Sequence, residues 1–241
     1  MKPDNISKFY ETDSTIYDSR WLKEGGRVTS ESQMKIVSSF TQAWKGYSIL
    51  EVGCGSGRFS SSVAEVASSV TYLDLTMGML NVTRDKLKLK HPVFNGINGS
   101  AYEIPLASNS RDAVISINVF NHIQEPAKAI REIYRVLRPK GKLLINFTNL
   151  YSIYWPFALY IDYKHTSIGR DVYSVWSKPK EVLSLLSSIG FNIIGVVGHV
   201  FVPLYLDKPI LRKFPIFMDG LLKEAPLKWI APALFFYCEK R

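Results

Sequence analysis

Cysteine is scarce in this chain. Only Cys54 and Cys238 occur among 241 residues, which excludes a disulfide-stapled scaffold and a cysteine-rich metal cluster. Both fall in apolar segments, where a thiol packs as a small hydrophobe. That usage fits a reducing compartment, and the cytoplasm is the expected location. No run of 18 or more apolar residues is present, so no membrane-spanning helix is expected. The opening stretch MKPDNISKFYETD lacks an apolar signal core. No grouping of His, Cys, Asp and Glu has metal-ligand spacing, so no metal is expected. There is no internal repeat and no low-complexity tract.

Charge of one sign is in deficit. Lys and Arg number 30 against 21 Asp and Glu, a net charge of +9. An excess of this size raises the question of an anionic partner, whether nucleic acid, a membrane surface or an acidic substrate. The basic residues form no dense block. They are spread along helical faces, as in Lys86, Lys88 and Lys90, or Lys128, Arg131, Arg135 and Arg138, a pattern that reads as solvated surface.

What is present is alternation. The length suits a single α/β domain over 1–241. Residues 1–29 read as an N-terminal arm or short helix ending at Gly25-Gly26, and Ser30 opens a helix with Met34, Val37, Phe40 and Trp44 on one face. Gly46 closes this arm-and-helix unit of 1–45, and a half spanning 46–147 follows. Strands are predicted over Tyr47–Val52, Val70–Leu75, Val93–Ile97, Asp112–Asn118 and Lys142–Phe147. Helices are predicted over Arg58–Ala67, Thr76–Lys90 and Glu125–Leu137, with Arg138–Gly141 as a turn. Next come an aromatic insert at 148–177, a helix over Lys178–Ile189, a strand over Phe191–Val197, a proline-punctuated insert at 199–232 and a last strand over Leu234–Glu239. Such alternation implies a Rossmann-like, seven-stranded, mostly parallel sheet with helices on both faces.

The stretch Ile49–Gly57, ILEVGCGSG, carries the chemistry. An apolar strand runs into Gly53, Gly55 and Gly57 and then into a helix, so backbone N–H groups can approach a ligand closely. A dinucleotide fingerprint needs a third glycine where this chain has Arg58. Glu51, two residues ahead of the loop, disfavours a pyrophosphate and suits a ligand carrying an ammonium and a sulfonium. Asp74 ends the second strand, where a carboxylate can accept both hydroxyls of a ribose. That geometry serves NAD as well, so Asp74 leaves the choice open.

Four consecutive stretches, ILEVGCGSGRFS, VTYLDLTMGML, NGSAYEIPLASNSRDAVISINVFNHI and AIREIYRVLRPKGKLLINF, resemble the motifs of class I S-adenosylmethionine-dependent methyltransferases. The group that includes ubiquinone and menaquinone C-methyltransferases is the most similar, over about residues 45–147. The resemblance implies an antiparallel last strand and S-adenosyl-L-methionine as cofactor. It places Gly53, Gly55 and Gly57 in the donor loop with Glu51 beneath the methionine end. It gives Asp74 the ribose, Leu75 the adenine face, and Ser100 and Ala101 the adenine edge. Asn118 would face the methionine moiety. Ser100 stands where the family usually has an aspartate. That departure bears on donor affinity, because a hydroxyl accepts without charge.

Transfer of the methyl group is an in-line displacement that demands alignment and exclusion of water, and alignment contributes on the order of 7–11 kcal/mol. Lid-like inserts at 148–177 and 199–232 point to a small-molecule, apolar, aromatic or lipid-like acceptor, with Tyr17, Tyr151, Trp155, His165 and Tyr173 as candidate contacts. His122, just past the fourth strand, is the candidate general base, being a side chain that exchanges protons near neutrality. Tyr17 in the arm, and His165, Asp171 and Tyr173 in the aromatic insert, are weaker candidates for that role. Nucleic acid is the rival acceptor, but Asn118-Val119-Phe120-Asn121 stands where amino-group methylation of bases uses an N-P-P-Y-like segment. A non-catalytic donor- or partner-binding module is the third reading, with the basic insert at 199–232 resting on an anionic membrane or a partner protein. An NAD-dependent oxidoreductase is a further rival, and a thermal-shift panel settles the donor before any acceptor is known. S-adenosylhomocysteine at about 100 times its dissociation constant should add ~2.7 kcal/mol and raise Tm by roughly 5–10 °C, with no rise from NADH. The reverse result would place the chain among oxidoreductases.

Overall fold

The computed structural model describes residues 3–14, 17–152, 155, 175–200 and 226–241. Within them, strands β1 (Ser48–Val52), β2 (Ser69–Asp74), β3 (Asn95–Asn98), β4 (Arg111–Ser116), β5 (Leu137–Thr148), β6 (Phe191–His199) and β7 (Ala233–Lys240) form one sheet in the order 3-2-1-4-5-7-6. The first five strands run parallel, and β7 runs antiparallel to both β5 and β6. The strand order reverses between β1 and β4. Ligands of open α/β sheets gather outside the strand ends at such a point.

Alternation along the strands builds two cores. Leu50 and Val52 of β1 face one side, where they join Ile130 and Ile133 of helix α5 (Pro126–Val136) and Val182 and Leu186 of α6 (Pro179–Ile189). Ile49 faces the other side, with Ile36 and Val37 of α2 (Glu24–Thr41), Val63 of α3 (Ser60–Val66) and Leu80 and Leu87 of α4 (Met77–Leu87). In α5 the buried residues Ala129, Ile130, Ile133 and Val136 recur at spacings of one and three. Burial contributes about 1.5–3 kcal/mol for each of the larger ones. That outweighs the few tenths of a kcal/mol that a β-branched residue costs in a helix.

The arm holds a short helix, α1 (Pro3–Asp13), as its reading allowed, and a 3₁₀ turn at Tyr17–Trp21. Three expectations are corrected. Helix α2 begins at Glu24, and Gly25-Gly26 lie buried in its first turn instead of preceding it. Strand β3 is shifted two residues from the apolar run. Its register is set by pairing Thr71–Asp74 with Asn95–Asn98, and Val93 is exposed while Phe94 stacks on Tyr72. Arg138–Gly141 is not a free turn. β5 starts directly after α5 at Leu137, and the tetrapeptide forms an irregularity within the strand, with Lys140 at φ +63°.

One residue fastens the two long connections to the sheet. Asn149, 1% exposed, donates from Nδ2 to the carbonyls of Trp229 and Ala231 at 2.8 Å, and its backbone N–H donates to Pro232 at 2.9 Å. Its chain neighbours Thr148 and Leu150 are bonded to Ser177.

Glu51 points to the α3 side of the sheet. Its carboxyl is buried and accepts from Ser60 Oγ at 2.7 Å. Burial pushes it up to about 8, the Ser60 hydroxyl holds it down in part, and nearby Asp74 raises it further. An acid raised in the folded state binds its proton more tightly there than in the unfolded chain, so stability falls as pH climbs from about 4.5 to about 8. Chemical denaturation at pH 5 and pH 8 should show that loss in the wild type. It should be markedly smaller in Glu51→Gln, which cannot ionise. Equal losses in both proteins would remove Glu51 from the pH dependence.

Candidate functional site

The turn after β1 is built by glycine. Gly55 has φ +55° and Gly57 φ +75°, the left-handed region that side-chain-bearing residues rarely adopt. A Cβ at Gly57 would lie 3.0 Å from the Thr83 side chain, so this glycine lets α4 approach the loop. A Cβ at Gly55 would meet nothing within 4 Å; that glycine opens onto a cavity. The loop is pinned from β2. The N–H groups of Gly53 and Cys54 donate to the Leu73 carbonyl at 2.7 and 3.2 Å, and the Gly55 N–H donates to Asp74 Oδ2 at 2.8 Å. Thr83 Oγ1 donates to the Gly55 carbonyl at 2.7 Å.

Asp74 is buried, and desolvation pushes its carboxyl above the usual range against the pull of its hydrogen bonds. Oδ1 accepts from the Thr76 N–H and Oγ1 at 3.0 and 3.1 Å, and with Gly55 and the Leu75 N–H four donors serve one carboxylate. A carboxylate offers about four acceptor positions.

The cavity, about 180 Å³, lies at the ends of β1, β2 and β4. It brings together Gly53, Gly55, Asp74, Leu75, Ser100, Ala101, Asn118, His122 and Tyr17 of the sequence-derived set. Glu51 and Gly57 are not on its wall: the first faces Ser60 behind the loop, the second faces Thr83. Tyr151 and Trp155 are 56% and 38% exposed and stand outside the cavity wall. His165, Asp171 and Tyr173 lie outside the described residues.

Asn118 reaches the wall in a left-handed conformation, φ +60°. A conformation of this kind costs on the order of 1–3 kcal/mol and persists where neighbours over-determine it. Here the Asn118 N–H donates to Asn146 Oδ1 at 2.7 Å, Asn146 Nδ2 donates back to Asn118 Oδ1 at 2.9 Å, and Asn118 Nδ2 donates to Gln33 Oε1 at 3.1 Å. Arg58 Nη2 donates to the same Gln33 oxygen at 2.7 Å.

The N-terminal arm completes the wall, and sequence reading missed its main contributors. Tyr10 of α1 places its hydroxyl 2.8 Å from His122 Nε2, and both side chains line the cavity. Glu11 accepts from the Gly78 N–H at the start of α4, with both oxygens at 3.1 Å. A carboxylate is favoured at a helix N-terminus. Asp18 accepts from Ser56 Oγ at 2.6 Å and pairs with Lys86. These contacts join residues 67, 112, 38 and 68 positions apart, a separation to which local periodicity is blind.

Comparison with known proteins gives the site its setting. Residues 50–145 match the family model described as a methyltransferase domain. The demethylmenaquinone methyltransferase of Listeria welshimeri is 32% identical over 230 residues, covering 82% of this chain and 92% of that one. The demethylmenaquinone methyltransferase of Renibacterium salmoninarum is 29% identical over 194 residues, covering 78% and 77%. A solved S-adenosylmethionine-dependent methyltransferase of Thermotoga maritima superposes with a TM-score of 0.72 over 98% of this chain and 99% of its own, at 17% identity, a likeness of fold. A glycine loop pinned to a strand-end aspartate, at the switch point of a 3-2-1-4-5-7-6 sheet and within the matched segment, thus belongs to a class I methyltransferase that takes S-adenosyl-L-methionine as its methyl donor.

Proposed function

We propose that this enzyme methylates a small, apolar, ring-bearing or lipid-like acceptor, and that the cavity at the ends of β1, β2 and β4 holds the donor together with the reacting end of that acceptor. The observation that carries the reading is the make-up of the wall. It is lined by Tyr10, Tyr17, Phe59, Met79, Tyr102 and Ile123, and most of the wall's surface is apolar. Binding sites for small organic molecules have this character, apolar walls with a few placed polar groups. Two relatives named for demethylmenaquinone, a quinone with an apolar chain, support the same acceptor class.

The residues fit the donor. Gly55 leaves open space where a side chain would stand, and the Asp74 carboxylate lines the cavity beside it. Gly53 and Gly55 would hold the donor from the loop, Asp74 its ribose, Leu75 its adenine face and Ser100 and Ala101 the adenine edge, with Asn118 toward the methionine end. When bound, S-adenosyl-L-methionine supplies a methyl group activated by a positive sulfur. The chain's part is alignment and dryness: Tyr10 and Tyr17 close one side of the cavity, and strained Asn118 fixes the end of β4. His122, in hydrogen-bond contact with Tyr10, would take a proton from the acceptor.

His122→Ala should lower kcat on the order of 10²-fold or more while the affinity for S-adenosylhomocysteine stays within about twofold of wild type. Methyl transfer from labelled donor to a hydroquinone acceptor is the measurement. Tyr10→Phe, which keeps the ring and loses the hydroxyl, should give a smaller loss in the same assay. Unchanged turnover in His122→Ala would remove it from the mechanism. Transfer to RNA and to no hydroquinone would overturn the acceptor class.

A further inference from the structure

His122 ends the 3₁₀ turn Phe120–His122, and its N–H donates to the Val119 carbonyl at 2.9 Å. Phe120, 1% exposed, roots that turn in the core against Phe147, with ring centroids 5.1 Å apart. Asn121 is thereby fixed beside the His122 ring. Its Nδ2 lies 3.1 Å from His122 Nε2, the same nitrogen that Tyr10 meets from α1 at 2.8 Å. Asn121 Oδ1 is shut off from solvent and has no hydrogen-bond partner among the described residues. Tyr10 and His122 line the cavity, whereas Asn121 stands behind its wall.

An amide nitrogen only donates, so in this arrangement Nε2 holds the lone pair of the neutral ring, and the Tyr10 hydroxyl donates to it as well. The hydrogen bonds an imidazole makes decide which of its nitrogens is open. When His122 serves as the base, that nitrogen changes character. An acceptor O–H bond breaks and an Nε2–H bond forms, while the methyl group leaves sulfur for the acceptor, so the positive charge passes from sulfur to the imidazole ring. Nε2 then donates. The Tyr10 hydroxyl can accept from it, since a hydroxyl does either. The Asn121 NH₂ cannot, and two donors facing each other repel. A half-turn of the amide brings Oδ1 to the same place. Oδ1 has no partner to lose, so the half-turn breaks only the bond to Nε2. One end of the amide is idle in either state.

We propose that Asn121 is a positioning residue that serves both states of His122. Its amide nitrogen holds the neutral ring with Nε2 open, and its carbonyl oxygen, after the half-turn, stabilises the imidazolium. This rests on the assignment of His122 as the base. A buried carbonyl oxygen without a donor is costly to the fold, and here it is the acceptor that the charged ring requires.

The test reads the ring nitrogens directly, by NMR of the full chain with ¹⁵N-labelled histidine rings. The chain has four histidines, and His122→Ala identifies the signals of His122. At about pH 8, where an imidazole is ordinarily neutral, wild type should show Nε2 unprotonated. Asn121→Asp, which as a carboxylate accepts and cannot donate, should show Nε2 protonated and turn over more slowly. Asn121→Ala should move the ring signals away from those of wild type. It should also lower kcat on the order of 10-fold, as for loss of one hydrogen bond to a charged group. KM for a hydroquinone acceptor and affinity for S-adenosylhomocysteine should stay within about twofold. The near-isosteric aspartate variant serves where the alanine variant does not fold. Wild-type ring signals in the variants would give Asn121 a structural role and overturn the proposal, as would a protonated Nε2 in wild type or undiminished turnover in Asn121→Ala. Undiminished turnover in His122→Ala would defeat the base assignment itself.

Discussion

The hydrogen bond from the Gly55 amide to the Asp74 carboxylate ties the loop after β1 to the end of β2. The loop has almost no side chains with which to hold its own shape. Its geometry is borrowed from β2 through this bond and two more to the Leu73 carbonyl, and from α4 through Thr83. The β1–β2 register, Ser48 to Val52 against Ser69 to Leu73, brings the two strand ends level. A slip of one residue would turn Asp74 to the other face of the sheet. Two apolar cores hold that register, so the polar site is an outcome of packing on both faces.

Around this tie the polar groups fall into two sets. Glu51 and Ser60 are enclosed behind the loop, and the carboxyl is held largely in its protonated form. Asp74, Asn118 and Arg58 line the cavity, each fixed by neighbours, Asn118 with a strained backbone and Arg58 with Nη1 unpartnered among the described residues. Buried polar groups with capacity to spare raise the free energy of the empty protein. A ligand that completes them recovers it, and binding then doubles as stabilisation of the fold.

Much of this was legible in the chain. The glycine rhythm from Gly53 to Gly57, the aspartate at the end of a Val-Thr-Tyr-Leu strand and the apolar periods of the helices each report local geometry, and each lies where local rules place it. Glu51 was legible as an acid beside the loop but not by direction, because which face of β1 it takes depends on where Ile49 and Leu50 find their cores. The glycines at 25 and 26 read as a stop and are the opening turn of α2 instead. Breaker rules count backbone freedom and take no account of tertiary burial. Tyr10, Glu11 and Asp18 gave no signal at all, since each meets its partner through docking of the arm. Arg58 was legible only as a missing glycine, and the cation's surroundings needed coordinates.

β7 runs against its neighbours, so Ala233, the first residue of that strand, sits level with Thr148 and His199, the last residues of β5 and β6. The chain therefore leaves the sheet twice, and returns once to it, along the same rim that carries the cavity. Asn149 is the rivet at that rim, bonded to the closing end of one excursion while its chain neighbours grip the other. Evolution is thereby given two stretches tethered at that rim whose length and content can drift while the rivet and the donor half stay as they are. One architecture can be re-tooled for different acceptors at the expense of very few fixed positions.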